Sequence, residues 1–282
     1  MRDAVRLRHA AAAALLGACG GQNAGEAAMD PWSTLLSSAP ALVALERGPA
    51  VVAGLPEGAR VERVRAELPA GQPFELWIGR PAAAERSPCW LVAERAIHAP
   101  EDALRDLAPA LESGWAAASG SFYAMPLPDA VRRFPEPEQE LWRRERAVRR
   151  LQAARRWLAE QPWCARVDWL GASRGTGLVA PAATREIDTG FLILLVPVFW
   201  QPESIGKERS ALAAEHDLRQ VLPRLAGRRS IVVAALQDPN LSTEREAARL
   251  LGPSCTVVDV DAGHRFPLQA VWSRIEPVLR AP

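Results

Sequence analysis

The chain has 282 residues, of which 49% are hydrophobic and 24% charged, with a formal net charge of +1. That is enough apolar material for one large domain or two small ones, and it excludes a disordered tail protein. A nucleic-acid binder held by a basic excess is excluded too, and no apolar run approaches the roughly 20 residues of a membrane-spanning helix, which argues against an integral membrane protein.

In chain order, residues 1–19 read as a targeting segment. Arg2, Arg6 and Arg8 form a positive start, residues 10–16 a short apolar stretch, and Leu16-Gly17-Ala18-Cys19 closes it. That tetrapeptide resembles the bacterial lipoprotein signal, in which the cysteine is acylated and becomes the new N-terminus. The resemblance implies a lipid anchor on Cys19 and a protein of the bacterial cell envelope. Gly20 stands where an Asp would mark inner-membrane retention, so the periplasmic side of the outer membrane is the expected location. An ordinary N-terminal helix on a cytoplasmic protein is the alternative. Residues 20–39 are expected to be a flexible tether and residues 40–282 one α/β domain.

Residues 60–68 and 74–78 alternate between apolar and polar and read as strands, separated by a Pro- and Gly-containing turn. Residues 89–96 form a more buried strand, Pro100 opens a helix that stops near Gly114, and residues 116–126 read as a strand followed by a loop. A long helix spans 138–160, with Leu141, Val148, Leu151 and Leu158 on its apolar stripe. Its arginines (143, 144, 146, 149, 150, 155 and 156) are expected on a solvated face. Residues 167–172 are a strand running into a tight turn and another helix. Residues 191–199, 230–236 and 255–260 are nearly continuous apolar runs, as strands buried on both faces should be. A helix lies between the last two, and a final one spans 268–279. Strands alternating with helices predict an α/β fold: a mostly parallel, doubly wound sheet of about eight strands, with an antiparallel edge. Residues 201–229 have room for a helix or two, so any lid is minimal. The ten Trp are assigned to core or pocket wall.

Gly171-Ala172-Ser173-Arg174-Gly175 stands between a predicted strand and a predicted helix, the context in which Gly-x-Ser-x-Gly forms a nucleophile elbow. Small neighbours leave room for a serine in a strained turn, next to a helix N-terminus that favours developing negative charge. A lone serine is a poor nucleophile and needs a base, itself oriented by an acid. Asp238 follows the strand 230–236, and His264 follows the strand 255–260. Glu244 and Asp261 are alternatives for the acid. Of the other histidines, His216 lies in Glu215-His216-Asp217, expected on a solvated helix face, and His98 just before a helix start.

The order Ser173, Asp238, His264, each just past a strand end, resembles the α/β-hydrolase superfamily, most nearly its dienelactone-hydrolase and carboxylesterase-like members, over about residues 60–279. The resemblance implies Ser173 as nucleophile, His264 as general acid/base and Asp238 as the group that orients the imidazole. It implies an oxyanion hole from the backbone N–H of Arg174 and one from the loop around His98. Superfamily members commonly carry glycines in that loop. Here residues 94–101 read Glu-Arg-Ala-Ile-His-Ala-Pro-Glu, which keeps open a second reading, a non-catalytic binding or scaffold protein of the same fold. The fold further implies that the third and fifth strands are parallel neighbours. Cys89 and Cys164 then share one sheet edge and are expected to pair, leaving Cys255 free. The implied activity is hydrolysis of a small-molecule ester or thioester through an acyl-enzyme. No cluster has metal-ligand spacing and no Gly-rich phosphate loop is present, so neither metal nor cofactor is expected. Oligomeric state is not encoded in any pattern.

Overall fold

The runs that read as strands lie in one sheet in a computed structural model of the chain, which describes residues 30–281 except 38–39, 69–72, 83–84, 94–98, 124–125, 188–189 and 202–204. The strands are β1 (Val43–Ala50), β2 (Arg60–Glu67), β3 (Phe74–Arg80), β4 (Ser87–Ala93), β5 (Ala116–Gly120), β6 (Cys164–Ala172), β7 (Leu192–Leu195), β8 (Ser230–Ala235) and β9 (Cys255–Val260). Their order across the sheet is β1-β2-β3-β5-β4-β6-β7-β8-β9. The first three strands and the β3–β5 pair are antiparallel, and every pair from β5 to β9 is parallel.

The helices are α1 (Pro31–Ser37), α2 (Pro100–Asp106), α3 (Ala108–Glu112), α4 (Glu136–Ala159), α5 (Thr176–Thr184), α6 (Ser210–Ala214), α7 (Leu218–Val221), α8 (Leu241–Leu251) and α9 (Gln269–Arg280). The single helix expected over 100–114 is two, because Pro109 supplies no N–H to continue the preceding turn. Strand β7 is shorter than its apolar run, since Val196 takes φ 44° and turns the chain out of the sheet.

Alternation along the central strands explains why they are apolar throughout. Leu91, Trp169, Leu192, Leu194 and Val232 point into the core shared with α4, α5 and α8. Trp90, Val92, Leu170, Ile193, Ile231 and Val233 point into the other, shared with α2, α3 and α9. Both faces are therefore covered, as a parallel sheet requires. Trp272 on α9 fills the second layer between Trp90 and Trp115, with ring centroids 5.5 and 5.6 Å away.

Three expectations are corrected. The segment read as a tether over 20–39 contains helix α1, whose Trp32 and Leu35 are buried against Leu127, Val131, Leu141 and Trp142. The arginines of α4 are not uniformly solvated: Arg144, Arg146 and Arg150 are buried. The helix is covered on more than one side. Arg144 is held by Glu140 at 2.9 Å, and Arg150 stands 4.9 Å over the Phe74 ring. His216 is buried as well, in the turn between α6 and α7, with its Nε2 3.0 Å from Glu145 Oε2.

Candidate active site

Strand β6 stays extended through Ala172 (φ −114°, ψ 129°), and Ser173 then takes φ 52°. A non-glycine residue in that region carries roughly 1–3 kcal/mol of strain, so its surroundings must hold it there. One 3₁₀ turn, Ser173–Gly175, leads into α5, and Thr176 Oγ1 donates to the Ser173 carbonyl at 2.6 Å. Gly171 permits the tight crossing: a Cβ there would stand 2.5 Å from Val179 Cγ2 and 2.8 Å from Thr176 Cα. Ser173 is buried at the carboxyl end of β6.

The other side of the site comes from the loops after β8 and β9, which are laced together. Leu236 N–H donates to Val260 O and Gln237 N–H to Ala262 O, both at 2.9 Å, and Gln237 Nε2 donates to Asp261 Oδ1 at 2.8 Å. Asp238 N–H turns back to Ala235 O at 3.0 Å. These bonds set Asp238 beside His264 and bring both to the serine. Ser173 Oγ lies 2.8 Å from His264 Nε2, and His264 Nδ1 is hydrogen-bonded to Asp238 Oδ2.

The electrostatics follow from burial and hydrogen bonding. The Asp238 carboxylate is wholly buried, while His264 keeps 28% of its side chain exposed. Burial works to raise the Asp238 carboxyl, but bonds from the Asn240 backbone, His264 and Glu244 outweigh it and hold it below its ordinary value. Asn240 contributes its backbone N–H at 2.8 Å and its side-chain nitrogen at 3.1 Å, both to Oδ1. Asp238 is therefore the charged partner of the imidazole. Of the alternatives for that place, Asp261 is spent on Gln237, and Glu244 stands next to Asp238. Oxygens of Asp238 and Glu244 and a ring nitrogen of His264 lie within 4.8 Å of one another, but His264 Nδ1 and Asp238 Oδ2 face each other in their hydrogen bond and leave little for a cation.

Arg174 follows Ser173 with an exposed side chain. His98, the other expected oxyanion contributor, and Cys19 lie outside the described residues. Cys89 and Cys164 are bridged, with Cα atoms 5.8 Å apart on the parallel neighbours β4 and β6, and Cys255 is free. Glu244, which the sequence offers only as an alternative to Asp238, stands beside it.

No protein-family model and no curated relative matches the chain in sequence. Solved structures do resemble it. Acetyl xylan esterase 1 from a Thermoanaerobacterium species superposes with a TM-score of 0.61 at 12% identity, over 87% of this chain and 90% of that one. The chain has the α/β-hydrolase fold. An acetyl xylan esterase from a Paenibacillus species gives 0.61 at 15% identity, over 83% and 88% of the two chains. A glucuronoyl esterase from Solibacter usitatus gives 0.58 at 14% identity, over 85% of each.

Proposed function

We propose that the chain is a serine hydrolase of small carboxylic esters or thioesters, acting through an acyl-enzyme. The observation that carries this is the continuous series of contacts from Ser173 Oγ through His264 to the buried Asp238, built on a serine held at φ 52°. His264 Nε2 takes the hydroxyl proton as Ser173 Oγ attacks the acyl carbon. Asp238 stabilises the imidazolium, which then returns the proton to the leaving alcohol or thiol. Water repeats the sequence in reverse and frees the serine. The backbone N–H of Arg174, adjacent to the nucleophile, is the first oxyanion donor, and the loop holding His98 supplies the second.

The likeness to acetyl xylan esterases and a glucuronoyl esterase recommends short acyl esters, sugar acetates among them, as first substrates. Pre-steady-state hydrolysis of p-nitrophenyl acetate tests the reaction. Wild type should release a stoichiometric burst of p-nitrophenol with an acetyl group on Ser173, and Ser173→Ala should lose turnover by about 10⁴-fold or more. A folded wild type that forms no adduct and turns over no ester returns the chain to the non-catalytic binding reading.

The proposal extends to location. The Leu16–Cys19 pattern supports a lipid-anchored envelope protein, with residues 1–19 as signal and the stretch before Pro31 as tether. Radiolabelled palmitate should enter the wild-type protein in bacteria and be absent from Cys19→Ala. Equal labelling of the two, or none in either, contradicts the anchor.

A further inference from the structure

We infer that Glu244 is a positioning residue for the Asp238–His264 pair, a carboxylic acid that keeps its proton and donates it in a hydrogen bond to the Asp238 carboxylate. The inference rests on the serine-hydrolase reading and adds a fourth member to its hydrogen-bond series.

Two buried carboxyl groups this close favour a proton between them. Glu244, in the first turn of α8, is wholly buried. Its Oε2 accepts the Ala235 N–H at 2.7 Å, which fixes the side chain behind the end of β8. Its Oε1 is buried and, among the described residues, meets no N–H or O–H donor, while a carboxyl oxygen stands within 4.8 Å of one on Asp238. Two ionised carboxylates in such a contact repel each other, and one proton converts the repulsion into a bond.

The surrounding donors decide which group holds the proton. Asp238 receives the Asn240 backbone N–H, the Asn240 side-chain nitrogen and His264 Nδ1, all of which favour its charged form. Among the described residues, Glu244 receives only the Ala235 N–H. Among the described residues, the charged and titratable groups acting on Glu244 are Asp238 from the loop after β8, His264 from the loop after β9 and Arg245 on its own helix. Arg245 favours ionisation, but its side chain is 44% exposed and paired with Asp259 at 2.7 Å. Burial first, and the bond to Asp238 second, push Glu244 up to about 8.

The protonated acid helps to hold Asp238 in place beside His264. Loss of the proton replaces the bond to Asp238 with like-charge repulsion in a buried contact. Asp238 then gives way, and with it the orientation of the imidazole. Activity therefore falls as Glu244 ionises. Glu244→Gln supplies a permanent N–H donor in the same place while its carbonyl still accepts the Ala235 N–H, so it should be indifferent to alkaline pH.

The test is the pH dependence of p-nitrophenyl acetate turnover and of fluorophosphonate labelling at Ser173, from about pH 6 to about pH 10, for wild type, Glu244→Gln and Glu244→Ala. Wild type should show an alkaline limb centred near pH 8, and Glu244→Gln should lack it. Glu244→Ala should be about tenfold slower or worse throughout, with Gln restoring most of the rate. The thermal midpoint provides a readout independent of turnover. Below about 4.5 both folded and unfolded chains hold this proton, and between there and about 8 only the folded chain does. Stability conferred by the protonated acid therefore declines as pH rises through that window, then levels off, and Glu244→Gln should lose this contribution to the slope. A Glu244→Gln enzyme that shares the wild-type alkaline limb, or is as slow as Glu244→Ala, overturns the positioning role. A folded wild type that takes no probe at any pH removes the serine-hydrolase reading, and this inference with it, which separates the two failures.

Discussion

At Ser173 the chain turns from strand to helix through a backbone conformation that a side-chain-bearing residue rarely adopts, and the cost is met by what surrounds it. Gly171 is the tightest of those supports, with Val179, Thr176 and the Gly175 carbonyl all inside 3 Å of where a Cβ would stand. Gly171→Ala should therefore destabilise the fold by about 1–3 kcal/mol, read from urea unfolding, as overpacking does elsewhere. Turnover should suffer more than stability accounts for, because any relief of the clash moves the turn that carries Ser173. Unchanged turnover in a folded Gly171→Ala variant would contradict that role for the glycine. These local requirements are why the elbow was legible in the sequence. A serine flanked by glycines at that spacing states a steric need that few other turns share. Asp238 and His264 were legible for a related reason, since each lies just past an apolar run and loops at strand ends converge on one edge of a parallel sheet. Glu244 was legible only as an alternative for the acid, because what places it beside Asp238 is burial and hydrogen bonding across elements. No residue type or spacing reports those.

Helix α4 shows where periodicity stops being informative at the level of an element. Its apolar stripe faces the core as the spacing predicts, but three of the arginines predicted to face water are buried, because a helix covered on one side and a helix covered on several have similar patterns. In the fold α4 packs on the sheet and α5, and its beginning meets the cluster that holds α1. Glutamates at i−4 and aromatic rings then take up guanidinium groups that water would otherwise serve. Glu145 is the focus of this layer: its carboxylate pairs with Arg185 through both oxygens at 2.8 and 2.9 Å, with Arg149 at 2.8 Å and with His216 at 3.0 Å. Burial works to raise Glu145, but His216 and Arg185 outweigh it and bring it down to about 2. A carboxyl depressed in the folded state contributes stability that is complete above the unfolded value and is lost as pH falls through the folded one. Stability should therefore decline from about pH 4.5 toward about pH 2, and Glu145→Gln should show a shallower acid limb in the thermal midpoint. An unchanged limb in that variant would place the acid sensitivity elsewhere.

The described residues are organised by a sheet whose parallel half, β5 through β9, is implied by strands and helices following one another, and whose carboxyl ends deliver Ser173, Asp238 and His264 to a common place. The elements that escaped the sequence lie at its margin. Strand β1 contains Gly48 and Pro49, which argue against a strand, yet it forms the outer edge of the sheet, where a proline's missing N–H costs no ladder bond on the open side. Helix α1, at seven residues, is too short to show a period and is recognisable only by the burial of Trp32 and Leu35. The bridge between Cys89 and Cys164 became readable only once the fold placed β4 beside β6, since cysteine spacing alone left three possible pairs.

The proposed function depends on whether the contact between Ser173 and His264 makes an activated nucleophile. Labelling of the purified protein with a fluorophosphonate probe, comparing wild type with Ser173→Ala and His264→Ala, measures that directly. Stoichiometric labelling of wild type, abolished in both variants while their folds persist, is the predicted result. A folded wild type that takes up no probe, or a His264→Ala variant that reacts as fast as wild type, would contradict the account.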